Sequence, residues 1–187
     1  MTQAAYYDIF NGDADGICAL HQLRLAEPRK ATLVTGVKRD IRLLDQVAQV
    51  RGAELTVLDI SLDSNRIVLL HLLESCRVFY VDHHYAGDLP ASPNLIAHLD
   101  PSPEICTSLI VDTLLDGRFR GWAVAAAFGD NLHDSARKAA ATLNLAEPQV
   151  ERLRELGELM NYNGYGQKVA DLYLPPQALY AAVKPYF

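Results

Sequence analysis

The sequence predicts an α/β protein: a five-stranded, mainly parallel sheet flanked by helices and followed by a helical segment. Three observations point to it. Short apolar runs rich in β-branched and aromatic residues alternate with segments whose apolar residues recur at i, i+3, i+4 and i+7. That alternation favours parallel strands buried on both faces. After Pro103 the helical period takes over and runs to about Asn161.

The first strand is read at Ala4–Phe10 (AAYYDIF), and the turn NGDADG leads from it into a helical pattern over Gly16–Ala26. ATLVTG, Ala31–Gly36, is the second strand, with a helix expected over Arg39–Val50. ELTVLDI, Glu54–Ile60, is the third, followed by a helix over Asp63–Glu74. RVFYVD (Arg77–Asp82) and NLIAHLD (Asn94–Asp100) complete the sheet. The tail from Asn161 is looser, with two glycines, Pro175-Pro176 and several aromatics.

Composition excludes several classes. The 187 residues suit one domain with a sizeable core. An apolar fraction of 50% with 21% charged residues is that of a globular protein, not a disordered or fibrous one. A net charge of −6 leaves no broad basic face, so a nucleic-acid partner must be held by a local patch or a bound cation. Cys18, Cys76 and Cys106 are odd in number and scattered, which argues against a disulfide framework or zinc knuckle and fits a reducing compartment. Met1–Ala5 lacks a basic leader region, and no apolar run approaches the roughly 18 residues of a membrane span. A cytoplasmic protein with no membrane partner is expected.

The acidic residues follow the strands. Asp13 and Asp15 come after the first, Asp59 closes the third, Asp82 with His83 and His84 closes the fourth, and Asp130 follows an apolar helix. In an open parallel sheet ligands bind beyond the carboxyl ends of the strands, so three strand ends send these groups to one edge. Carboxylates crowded into a crevice repel unless their pKa values rise or a cation sits among them. Carboxylate oxygens with imidazole nitrogens suit Mn²⁺ or Mg²⁺, and a metal pair bridged by one aspartate is a known arrangement for phosphoryl chemistry. Taken singly, each residue has an ordinary reading as a helix cap or turn former. That reading does not explain the shared edge. Thr107 and Ser108 open a later helix, where hydroxyls and backbone N–H groups either cap it or receive a phosphate. His21, His71 and His98 read as structural, His133 as a partner behind the site, and Cys18 as a small core residue.

These residues resemble a known family, the DHH phosphoesterases, whose Asp-His-His is here YVDHHYAG. Four motifs stand in the family's order between Phe10 and Asp130: GDADG at Gly12–Gly16, LDI around Asp59, DHH at Asp82–His84 and GDN at Gly129–Asn131. GDADG looks closest to the RecJ-like and archaeal exonuclease branch. The resemblance implies a phosphohydrolase with two Mn²⁺ ions, Mg²⁺ being the alternative, acting on phosphodiester or phosphomonoester bonds of short nucleotides or single-stranded nucleic acid. A pyrophosphatase or exopolyphosphatase on the same scaffold, or a binding protein with weakened chemistry, are the alternatives. It implies Asp13 on one metal and Asp15 on the other, Asp59 bridging, His83 and Asp130 completing the second, Asp82 orienting an imidazole or sharing in ligation, and His84 facing the phosphate.

Two departures accompany the likeness. Where many members carry a histidine four residues before the first aspartate, this chain has Ile9; where others carry histidine or aspartate two residues before it, it has Asn11. The first metal is therefore expected to bind more loosely, with Asn11 contacting water or phosphate. Family enzymes also carry a smaller second domain. Residues 1–160 are thus read as the metal-binding catalytic domain and 161–187 as a linker or lead into a C-terminal substrate domain. Tyr173, Tyr180, Tyr186 and Phe187 are expected at a surface for more chain or for a second copy, a homodimer.

Overall fold

The computed structural model describes residues 5–187. Ala4, assigned above to the first strand, lies outside them. The strands are β1 (Tyr6–Phe10), β2 (Thr32–Thr35), β3 (Glu54–Leu58), β4 (Arg77–Asp82) and β5 (Leu95–Leu99). They form one sheet in the order β2-β1-β3-β4-β5, with every neighbouring pair parallel. The chain steps outward from β1 to β2, then crosses back to β3. At such a reversal the connections leaving adjacent strands diverge and open a crevice beyond their carboxyl ends.

Strand alternation builds two cores. Ile9 pairs with Val57 and Val57 with Tyr80, and these three face a cluster with Leu43, Leu44, Leu69 and Leu72. The next residues, Phe10, Leu58 and Val81, pair likewise and face the opposite cluster with Ile17, Leu20, Val124 and Phe128. Because side chains alternate with period two, one register serves both faces. The helices are α1 (Ala14–Ala26), α2 (Leu62–Leu73), α3 (Thr107–Leu114), α4 (Arg120–Gly129), α5 (His133–Ala140), α6 (Glu147–Asn163) and α7 (Pro176–Val183). The expected helical segment is α3 to α6, and it joins α1 on the Phe10 face.

The helix expected over Arg39–Val50 shrinks to one 3₁₀ segment, Leu43–Val47. Competing hydrogen bonds explain the loss. Asp40 Oδ2 accepts from the Val37 N–H at 3.0 Å, and the Lys38 N–H donates to the Gly164 carbonyl at 2.9 Å. Asn65 accepts from the Leu44 N–H and donates to the Ile41 carbonyl, so this backbone is satisfied without a helix. Leu43, Leu44 and Val47 are still buried, which is why the spacing looked helical.

The tail also departs from expectation. Tyr180 is buried, its ring 5.7 Å from that of Phe10. Asn163 bonds the Leu174 backbone both ways, at 2.8 and 2.9 Å, fastening the tail to the end of α6. Tyr173, Tyr186 and Phe187 are exposed as expected. The division placed after residue 160 falls inside α6.

Candidate metal centre

The site begins with the turn between β1 and α1. Asp13 caps α1: its Oδ1 accepts from the Asp15 and Gly16 N–H groups at 3.0 and 3.2 Å. The ordinary capping role and a place in the crevice therefore coincide. Gly12 and Gly16 are required by close approach rather than by a left-handed turn. A Cβ at Gly12 would stand 1.9 Å from the Gly36 carbonyl oxygen, and one at Gly16 would stand 2.3 Å from that of Asn11.

Asp15 is buried against the start of α3. Its carboxylate accepts from the Thr107 and Ser108 N–H groups, both at 2.7 Å, as an anion at a helix N-terminus does. The Thr107 hydroxyl donates to Asp59 Oδ1 at 3.3 Å and the Ser108 hydroxyl to the Asp15 carbonyl at 2.9 Å. Both residues are fully buried. The groups considered for a phosphate thus hold Asp15 and Asp59 instead, because the nearest anion to that helix start belongs to the protein.

Asp59 follows β3 with a φ of 57°, in the left-handed region, while its N–H donates to the Val81 carbonyl at 3.1 Å. Aspartate tolerates this conformation better than most residues, and it turns the chain out of the sheet at the crevice. On the neighbouring strand Asp82 is fully buried; its Oδ1 is 2.7 Å from His84 Nδ1, and its Oδ2 has no partner among the described residues. His83 points its Nε2 at three acids: 3.5 Å from Asp59 Oδ1, 3.7 Å from Asp130 Oδ2 and 4.0 Å from Asp15 Oδ2. Asp130 arrives as the C-terminal cap of α4. Ligand atoms of Asp15, His83 and Asp130 lie within 4.8 Å of one another, as do those of Asp59, His83 and His84.

Burial dominates the electrostatics. It pushes the Asp15 carboxyl up, helped by Asp130, and the Asp59 carboxyl well up, helped by Asp15 and Asp13. The hydrogen bond to Asp82 raises the His84 imidazole. Crowded buried carboxylates, an imidazole aimed at them and the orphaned Asp82 oxygen fit a divalent cation.

Asp13 also meets a lysine. Its Oδ2 is 2.6 Å from the Lys38 Nζ, which also reaches Asn161 Oδ1 at 2.8 Å and Asp130 Oδ1 at 3.4 Å. Burial pulls the Lys38 ammonium down, but Asp13 more than reverses this and holds it above its ordinary value. Asn11 donates from Nδ2 to the Lys38 carbonyl at 3.1 Å, leaving its buried Oδ1 unpartnered. Ile9 faces the far core and cannot join the site. Lys38 and Asn161 are the two residues that sequence reasoning missed. Lys38 had a signal, since it follows a strand at the same sheet edge; Asn161 had none. The other histidines stand apart: His21 bonds the Tyr186 carbonyl, His98 packs on Phe79, and His133 bonds Asn131.

No family model matches the chain, and no curated protein matches it by sequence. Among solved structures it is similar to the crystal structure of exonuclease RecJ bound to manganese, with a TM-score of 0.50 and 16% identity over 86% of this chain and 49% of that one. It is also similar to that of an uncharacterized protein from Helicobacter pylori G27, with a TM-score of 0.44 and 14% identity over 84% of this chain and 64% of that one. The chain therefore spans less than two thirds of either. At such identities the likeness is one of fold: a five-stranded parallel α/β sheet with a helical second half, similar to that of the manganese-bound exonuclease RecJ.

Proposed function

We propose that the chain is a divalent-metal-dependent phosphohydrolase of the DHH type, with manganese as the favoured ion. Its substrates are phosphodiesters or phosphomonoesters of short nucleotides or single-stranded nucleic acid. The observation that carries the reading is the approach of Asp15, Asp59 and Asp130 to the single nitrogen His83 Nε2, at 3.5 to 4.0 Å. Similarity in fold to a manganese-bound exonuclease supports it.

Asp15, Asp59, His83 and Asp130 would hold the ion, with His84 beside them. When bound, it supplies Lewis-acid polarisation of the phosphoryl group. The protein's own groups do the rest. The N-terminus of α3 fixes the Asp15 carboxylate, and the Thr107 hydroxyl steadies Asp59, so both are oriented before substrate arrives. Asp82 holds His84 by its Nδ1, which leaves Nε2 of a half-exposed ring to hold a proton and deliver it to a leaving oxygen. On a chain of net charge −6, a phosphate is drawn to this local cation site and not to a general basic surface.

The test is Mn²⁺-dependent hydrolysis of bis(p-nitrophenyl) phosphate and of a short oligonucleotide. Asp59→Ala should reduce both by more than about a hundredfold, given what disturbing even outer groups of a metal site costs. Phosphate release from pyrophosphate without nucleotide cleavage would move the assignment to a pyrophosphatase. No Mn²⁺-dependent turnover of any of these would refute it.

A further inference from the structure

We propose that this site takes one divalent cation and that the Lys38 ammonium stands where a second would sit. The inference rests on the metal-dependent reading for its single ion, and on Lys38 itself for the rest.

The Lys38 Nζ occupies an oxygen-lined position like that of a bound cation, with Asp13 Oδ2 at 2.6 Å, Asn161 Oδ1 at 2.8 Å and Asp130 Oδ1 at 3.4 Å. Both Asp13 oxygens are thereby engaged, since Oδ1 caps α1. A divalent ion coordinated by Asp13 Oδ2 would have to share the ammonium's space and face its like charge. Asp130 joins the two positions. One of its oxygens meets Lys38 and the other lies 3.7 Å from His83 Nε2, as a bridging carboxylate spans two cations.

Lys38 is also built into place at its backbone. Its N–H donates to the Gly164 carbonyl at 2.9 Å and its carbonyl accepts from Asn11 Nδ2 at 3.1 Å. Asn11 therefore secures the residue that delivers the ammonium, and Asn161 receives it from the end of α6. The Lys38 side chain is 27% exposed, so part of it remains open to solvent. A fixed ammonium next to a metal suits a substrate whose non-bridging phosphate oxygens span both, which is how lysine commonly meets phosphate.

The experiment is metal stoichiometry on the full chain, stripped with chelator, reloaded with Mn²⁺ and desalted. Metal content would be read by mass spectrometry and coupling by electron paramagnetic resonance. The wild type should retain one ion per chain with an uncoupled six-line spectrum. Lys38→Gln, which removes the charge and leaves an oxygen donor, should take up a second ion and show an exchange-coupled signal. Lys38→Arg should remain at one. Two ions in the wild type, or one in Lys38→Gln, would overturn the inference while leaving the metal-dependent function intact. No ion in the wild type would overturn both. If Lys38→Gln does not fold, the wild-type and Lys38→Arg counts still decide.

Discussion

Replacing Gly157 with alanine tests the helical half of the molecule and its link to the site. Gly157 lies where α6 crosses α4, and a Cβ there would stand 1.8 Å from the Ala125 carbonyl oxygen, 2.8 Å from its carbon and 3.0 Å from the Gly129 nitrogen. All three obstacles are backbone, so no rotamer relieves them, and the helices must separate by about 2 Å to reach ordinary van der Waals spacing. Overpacking of this kind costs about 3 kcal/mol, while alanine's better helix propensity returns about 1 kcal/mol. The net loss of about 2 kcal/mol lowers Tm by about 4–8 °C for a chain of this size. Gly121, in α4, is the internal control, because a Cβ there meets nothing within 4 Å. Gly121→Ala should hold Tm or raise it by about 1–4 °C. Scanning calorimetry on both variants checks the argument. Because α6 also carries Asn161 and Asp130 caps α4, Gly157→Ala should weaken Mn²⁺ binding and Gly121→Ala should not. Similar melting shifts for the two variants would refute the packing account.

Two further outcomes follow from buried charge. Burial raises the Asp59 and Asp15 carboxyls above their ordinary value of 3.8; a raised acid favours the native state while protonated, so its contribution is present below that value and lost as pH rises through the folded-state one. Metal-free Asp59→Asn should therefore melt higher than wild type at pH 8 and near it at pH 4, in calorimetry with chelator present; an equal offset at both pH values would contradict this. On the α1 face, Arg24 Nε donates to Asp8 Oδ2 at 2.9 Å and Arg24 Nη2 to the Thr56 hydroxyl at 2.9 Å, with Asp8 only 2% exposed. Arg24→Ala strands that carboxylate and should cost about 3–5 kcal/mol in denaturant unfolding, whereas Arg24→Met with Asp8→Leu should be near neutral.

Sequence alone determined the strands and the sheet edge. β4 matches its expected span and the other described strand ends fall within two residues, because a short run of β-branched and aromatic residues and its bounding turn formers are local properties of the chain. It also placed Asp15, Asp59 and His83 together, since a parallel sheet sends every strand's carboxyl end to one side, while Asp130, which follows a helix, entered through the family resemblance. Tertiary structure decided what each group faces. Nothing within a few residues of Lys38 announces that its ammonium meets Asp13, 25 positions earlier, and Asn161, 123 positions later. The N–H groups of Thr107 and Ser108 were visible as a helix start, but Asp15 as their acceptor was not. The Arg39–Val50 helix was lost to hydrogen bonds with Asn65 and Gly164, and Tyr180 was buried by a tail that folds back on Phe10. Periodicity reports which side of an element is apolar. Which distant carboxylate, amide or ammonium completes a hydrogen bond is set only when the packed elements bring their ends within about 3 Å.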